Sequence, residues 1–292
     1  MSGITIAAPA KINLGLDVIR RRPDGYHEVR MIMQMLDLHD TVFMEITSEP
    51  GIHLTMDLPD LPTDEGNIAF RAADVMMKRF GIREGVRIHI EKRIPVAAGM
   101  AGGSTDCAAV LDGMNSLFKL GLDRQALMDI GVTLGADVPY CLLRQTALSE
   151  GIGELLTPLP ALPDCPVLIA KPPVSVSTGH VYQSLKLDES IRHPDIDGMA
   201  QALKAGDLHG VTGRLGNVLE TVTVKEHPVI EDIKKIMISN GALGALMSGS
   251  GPTVFGIYDN EASAKMAYEK LSAQGGPAGQ VYLTRPGKNC GF

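Results

Sequence analysis

The chain has 292 residues, 45% of them hydrophobic and 21% charged, and its 34 Asp and Glu against 27 Lys and Arg leave a net charge of −7. That length accommodates two domains with substantial cores, and the composition is ordinary for a globular protein. The acidic balance without a basic stripe argues against nucleic acid as a partner, and any affinity for phosphate must come from local groups.

No apolar run reaches membrane-spanning length, so no membrane partner is expected. The N-terminal Met-Ser-Gly-Ile-Thr-Ile lacks the basic and apolar regions of a secretion signal. Cys107, Cys141, Cys165 and Cys290 show no metal-ligand spacing and read as thiols in a reducing cytoplasm.

Residues 4–18 alternate. Ile4, Ile6, Ile12, Leu14, Leu16 and Val18 share one parity; Thr5, Lys11, Asn13 and Asp17 share the other. Pro9 is expected to interrupt this strand at an edge or a bulge. Lys11 and Asn13 then project from one face, about 7 Å apart. A turn at Arg22-Pro23-Asp24-Gly25 leads into a second strand over 26–36, and further strands are expected over 41–46 and 52–56. The pattern predicts a helix over 67–80 that stops at Gly81, a strand over 86–94, a helix over 106–119, and another over 124–134 capped by Asp123. Short strands are expected at 141–143 and 146–148.

Pro158, Pro160 and Pro163 mark a change of composition. It places a boundary between an N-terminal domain, 1–156, and a C-terminal domain, 157–292. Beyond it the pattern predicts strands over 167–170, 242–247, 253–258 and 280–284. Helices are expected over 198–205, 215–220, 228–240 and 261–274. Helices with a mainly antiparallel sheet make the fold class α+β.

The most informative stretch lies between the 86–94 strand and the 106–119 helix: Pro95, Val96, Ala97, Ala98, Gly99, Met100, Ala101, Gly102, Gly103, Ser104 and Thr105. A glycine-rich turn entering a helix exposes several N–H groups at the positive end of the dipole and attracts phosphate. It has neither the Gly-Lys-Ser/Thr ending of a P-loop nor the spacing of a dinucleotide fold. The structural alternative is a tight turn with Ser104 as N-cap.

Three more segments bear on chemistry. Asp137, in Gly135-Ala136-Asp137-Val138-Pro139, is the best candidate for a base that orients a substrate hydroxyl and takes its proton; the alternative is an Asp that caps or makes an Asx turn. Lys11 is its natural counter-ion, unless it is simply solvent-exposed. Tyr26 and His27 place a ring beside a two-nitrogen hydrogen-bonding ring, which suits a nucleobase or else a plain hairpin tip. Ser248-Gly249-Ser250-Gly251-Pro252 is a second glycine turn, either a source of N–H groups and close approach or a plain connection.

Pro9-Ala10-Lys11-Ile12-Asn13, Pro95 to Thr105, and Met247 to Pro252 together resemble, in order and spacing, the three motifs of the GHMP kinase superfamily. The central motif departs from the usual pattern at Met100 (for Leu) and Thr105 (for Ser), both conservative changes. Lys11-x-Asn13 combined with Asp24-Gly25-Tyr26-His27 and Gly135-Ala-Asp-Val-Pro is most similar to the branch acting on a cytidine-diphosphate sugar alcohol in the methylerythritol phosphate route to isoprenoids. The resemblance implies two domains with a cleft between them and ATP-dependent phosphorylation of the 2-hydroxyl of the erythritol moiety. It implies ATP on residues 95–105 and Mg²⁺ travelling with the nucleotide, with no protein ligand assigned. It implies Asp137 as base, Lys11 as its partner, and Asn13, Tyr26, His27, Thr178 and Tyr182 as substrate-binding residues, with Tyr182 opposite Tyr26. A monomer or homodimer in the cytoplasm is expected. The alternatives are another GHMP kinase, for mevalonate-pathway substrates or homoserine, which would not need Tyr26 and His27, and a non-catalytic nucleotide sensor, which would be expected to lack Lys11 or Asp137.

Overall fold

The computed structural model describes residues 3–189 and 191–287; Cys290 lies outside them. The chain forms two compact units. One comprises Met1–Ala10, Leu38–Val96 and Ala101–Arg144; the other comprises Lys11–Asp37, Ala97–Met100 and Gln145–Phe292. Two long strands, β1 (Gly3–Arg21) and β2 (His27–Thr47), contribute a segment to each, so these units are not linear halves of the chain.

Pro9 does not interrupt β1. Its fixed φ suits an extended strand, and only one donor is lost. The strands expected over 26–36 and 41–46 are one continuous strand, β2.

In the first unit, β2 from Thr41 to Thr47 pairs antiparallel with β4 (Gly85–Glu91), and β3 (Ile52–Met56) pairs parallel with β4 on its other edge. Val86, Ile88 and Ile90 alternate into the core. Helix α1 (Ile68–Phe80) buries Ala69, Ala72, Ala73 and Met76 at helical spacing and packs on α2 (Gly102–Leu117). Asn67 caps α1 by accepting from the Ala69 N–H, and Gly81 ends it in the left-handed region at φ 63°. Helix α3 (Arg124–Gly131) starts at Asp123 as expected, its carboxylate accepting from the Ala126 N–H. Residues 141–143 are not a strand but part of α4 (Val138–Leu143). Pro139 in the first turn is preorganised for a helix, and a short apolar run has no period to tell helix from strand.

In the second unit, β2 pairs with β5 (Ala147–Glu150) through Met31, Ile32 and Met33, and β5 pairs with β6 (Leu155–Pro158), which occupies part of the proline-rich stretch. A separate antiparallel sheet has the order β11 (Gln280–Thr284), β7 (Val167–Lys171), β10 (Val254–Ile257), β9 (Gly244–Met247). Helix α9 (Val229–Ser239) packs on β9 and β10, and α10 (Glu261–Ser272) on β7 and β11. Thr178–Ser184 and Leu208–Thr212 are short helices, α5 and α7, which local pattern did not suggest; α6 (Ile196–Ala205) matches expectation. The helix expected over 215–220 is instead β8 (Gly216–Asn217), parallel to β1 at Gly15 and Leu16, followed by α8 (Glu220–Glu226).

Candidate active site

The stretch after β4 has an unusual backbone. Ala97, Gly99 and Ala101 have φ of 51°, 70° and 58°, whereas Ala98 and Met100 between them do not enter the left-handed region. Where left-handed residues alternate with right-handed helical ones, successive N–H groups turn toward one point and make an anion-binding concavity. Holding an alanine left-handed costs about 1–2 kcal/mol, and such strain persists only where neighbouring structure fixes it. Here Ala98 and Met100 are buried, and the Met100 carbonyl accepts from the Lys11 N–H at 3.1 Å. Helix α2 then begins at Gly102 with Ala101 as cap residue and no side-chain cap. Ser104 therefore lies inside the first turn and is not the N-cap. The first N–H groups of α2 have no carbonyl within the helix to bond, which suits an anion.

The second glycine turn is built against this loop. Ser248 Oγ donates to the Gly99 carbonyl at 3.0 Å, and a Cβ on Gly99 would stand 2.3 Å from the Ser248 carbonyl oxygen. A Cβ on Gly249 would stand 3.1 Å from the Gly99 carbonyl and 3.6 Å from Asn13 Oδ1. Asn217, at the end of β8, donates to the carbonyls of Met247 and Gly249, both at 2.8 Å. Thr223 on α8 donates to the Ser250 carbonyl. This turn makes a close approach to Gly99 and is more than a plain connection.

Lys11 and Asn13 are buried, at 4% and 0% exposure, so Lys11 is not a solvent-facing lysine. Their alternation puts them on one face of β1, and Lys11 Nζ donates to Asn13 Oδ1 at 2.7 Å. A buried ammonium is costly unless polar groups surround it, and Asn13 Oδ1 is one such group.

Thr178 and Tyr182 sit one turn apart on α5, whose Ser177 N-cap accepts from the His180 N–H. Thr178 Oγ1 and Ser250 Oγ are 2.8 Å apart. The Tyr182 ring lies 5.2 Å from the His27 ring, tilted by 41°. Tyr182 therefore stands beside His27, while Tyr26 is 60% exposed. Burial, helped by the charge of Arg21, lowers the His27 pKa below the ordinary 6.5, which favours a neutral imidazole at pH 7. The second unit thus brings together Lys11, Asn13, residues 97–100, the 248–252 turn, Thr178, His27 and Tyr182.

Asp137 belongs to the first unit. It occupies the N-cap position of α4 but its carboxylate makes no capping hydrogen bond, so the capping alternative fails. Also in that unit, and unmarked by any motif, is a buried charge cluster. The Lys92 ammonium lies between the carboxylates of Asp40 and Asp106, 2.6 Å from Asp106 Oδ2. Asp40 Oδ1 accepts from the N–H groups of Arg93 and Ile94 at 2.6 and 2.8 Å. Asp106 Oδ1 is buried without a partner, and burial, opposed by Lys92, pushes the Asp106 pKa up to about 7. Lys92 just precedes the 95–105 stretch and Asp106 just follows it, but Asp40 is some 50 residues away, so spacing alone does not reveal the cluster. Among the described residues no group of three or more His, Cys, Asp or Glu could hold a metal ion.

Two family models match: the GHMP kinases N terminal domain over residues 67–145 and the GHMP kinases C terminal domain over 189–277. A 4-diphosphocytidyl-2-C-methyl-D-erythritol kinase of Lachnoclostridium phytofermentans is 56% identical over 98% of both chains. The crystal structure of a 4-(cytidine 5′-diphospho)-2C-methyl-D-erythritol kinase, 35% identical, superposes with a TM-score of 0.83 over 97% of this chain and 100% of that one. A homoserine kinase from Cytophaga hutchinsonii, 21% identical, superposes with a TM-score of 0.76 over 97% of this chain and 95% of its own, and shares the fold alone. Identity at this level over almost the whole length, together with both family models, makes the chain a member of the GHMP kinases and, among them, of the 4-diphosphocytidyl-2-C-methyl-D-erythritol kinase family.

Proposed function

We propose that this chain transfers the γ-phosphoryl group of ATP to the 2-hydroxyl of 4-diphosphocytidyl-2-C-methyl-D-erythritol. The observation that carries the reading is the alternating left-handed backbone at Ala97, Gly99 and Ala101 running into the N-terminus of α2. It supplies converging N–H groups for a triphosphate. ATP therefore lies along residues 95–105. Asp137 orients the acceptor hydroxyl and takes its proton as the oxygen attacks in line. Lys11 supplies positive charge where the transferring phosphoryl develops negative charge. Asn13, which accepts from Lys11, helps place the acceptor. Positioning and electrostatics supply the rate, with no phospho-enzyme.

At the other end of the substrate, His27 and Tyr182 form a tilted ring pair and Tyr26 offers an exposed ring, which together hold the cytosine. Neutral His27 can both donate and accept, and so can distinguish cytosine from uracil at N3 and the 4-position. Thr178 completes this end. Binding energy from the base, far from the chemistry, then orients the hydroxyl.

Mg²⁺ bound with the triphosphate would neutralise charge on the phosphate oxygens, and we assign it no protein ligand. The division into domains 1–156 and 157–292, a cytoplasmic location and a monomeric or homodimeric state belong to the same proposal; the buried thiols of Cys107, Cys141 and Cys165 suit a reducing compartment. Coupled measurement of ADP release with the cytidine substrate tests the reaction. ADP released only in the presence of the cytidine compound supports it; ADP release without it refutes the reading.

A further inference from the structure

The cluster of Asp40, Lys92 and Asp106 has no part in the chemistry above, yet it is the most completely buried set of charges among the described ion pairs. Lys92, Asp40 and Asp106 have side-chain exposures of 4%, 0% and 4%. A buried ion pair is weak evidence for stability, because desolvation offsets much of the attraction. Such a cluster is better explained by what it holds in place.

What it holds is the two flanks of the glycine-rich stretch. Asp40 on β2 grips the N–H groups of Arg93 and Ile94, the last residues before Pro95. Lys92 reaches from the same flank to Asp106, the first residue after Thr105, in the first turns of α2. Lys92 also runs beneath the start of that helix: a Cβ on Gly102 would stand 3.5 Å from Lys92 Nζ and 3.3 Å from Ile94 Cγ2. The stretch from 95 to 105 contains two alanines in left-handed conformation, and its strain must be held by fixed ends.

We propose that Asp40, Lys92 and Asp106 are positioning residues for ATP, a charged clamp that fixes the two flanks of the 95–105 loop so that its N–H groups converge on the triphosphate. The inference rests on the reading of that loop as the ATP site. None of the three touches the substrates in this account. Their effect runs through the loop, and it falls on nucleotide affinity.

The test uses the full-length enzyme and two variants. Asp106→Asn, assayed at about pH 8 where the carboxyl is ionised, is nearly isosteric and keeps an acceptor for Lys92 while removing the charge. The double variant Lys92→Met with Asp106→Leu replaces the pair by apolar side chains and leaves Asp40 on its two N–H groups. For each, the KM values of ATP and of the cytidine substrate, kcat at saturation, and calorimetric binding of a non-hydrolysable ATP analogue with Mg²⁺ are measured, with a thermal melt to establish folding. The expected result is a rise of about tenfold in the KM and Kd for nucleotide, with kcat and the KM of the cytidine substrate within about twofold of wild type. A folded variant that binds the analogue as tightly as wild type overturns the proposal. So does a failure of both variants to fold, which would make the cluster a folding element only. Wild-type enzyme that binds no analogue refutes the ATP-site reading itself, a result distinguishable from either of these.

Discussion

Gly99 and Ser248 are 149 residues apart in sequence and joined twice in space. Ser248 Oγ donates to the Gly99 carbonyl at 3.0 Å, and the Ser248 carbonyl occupies the place where a Gly99 side chain would begin, 2.3 Å from an ideal Cβ. One glycine motif thus serves as the surface on which the other is built.

Gly99→Ala should therefore be costly and Gly103→Ala cheap. Gly99 is left-handed at φ 70° and crowded by backbone, so alanine there pays about 1–2 kcal/mol of conformational strain plus displacement of the 248–252 turn. A Cβ on Gly103 meets nothing within 4 Å, and alanine in a helix gains up to about 1 kcal/mol over glycine. Urea unfolding of the two variants measures the contrast. Equal stabilities would mean that the Gly99 geometry is not as described.

Asp137→Asn should leave nucleotide binding intact and lower kcat by about 10²–10⁴-fold, the usual contribution of a general base. The carboxylate is not engaged in capping α4, so its loss should not unravel that helix. Single-turnover rates read the effect directly. Near wild-type turnover would remove Asp137 from the mechanism.

The Asp106 carboxyl makes a pH signature. Its pKa rises from an ordinary 3.8 to about 7 in the folded chain, with burial the largest cause. Between those values the folded state holds a proton that the unfolded state has released. Its contribution to stability is therefore full below about pH 4 and is lost as pH rises to about 7. The unfolding free energy of wild type minus that of Asp106→Asn should fall over that window and be flat above it. A difference independent of pH would show that Asp106 titrates normally.

Tyr182→Ala should lower kcat/KM for the cytidine substrate by about 5- to 150-fold, equivalent to roughly 1–3 kcal/mol for one aromatic contact with a base, and leave ATP affinity unchanged. The same substitution strips His27 of its ring neighbour at 5.2 Å, so discrimination between cytidine and uridine analogues should weaken as well. Competition between the two analogues measures it. Undiminished discrimination would place the base elsewhere.

The parts of the fold that were legible in the sequence are those with local causes. Asn67 and Gly81 bound α1, Asp123 starts α3, and the alternation of Val86, Ile88 and Ile90 makes β4. Where tertiary pairing decides, local pattern misleads. Gly216 and Asn217 become a strand because β1 offers an edge at Gly15 and Leu16, and residues 141–143 join a helix because Pro139 starts one. The site divides in the same way. The Lys11–Asn13 bond follows from spacing along one strand. Nothing local announces that Ser248 bonds Gly99, that His27 meets Tyr182, or that Asp40 reaches Lys92, since each is a meeting of distant segments.

The most direct measurement is ATP consumption by the purified chain with 4-diphosphocytidyl-2-C-methyl-D-erythritol, its uridine analogue, methylerythritol phosphate, mevalonate and homoserine in parallel. The account predicts rapid turnover with the cytidine compound and at least about a tenfold lower kcat/KM with each of the others, because only that substrate engages both ends of the site. Equal or faster turnover of the uridine analogue, methylerythritol phosphate, mevalonate or homoserine would contradict it.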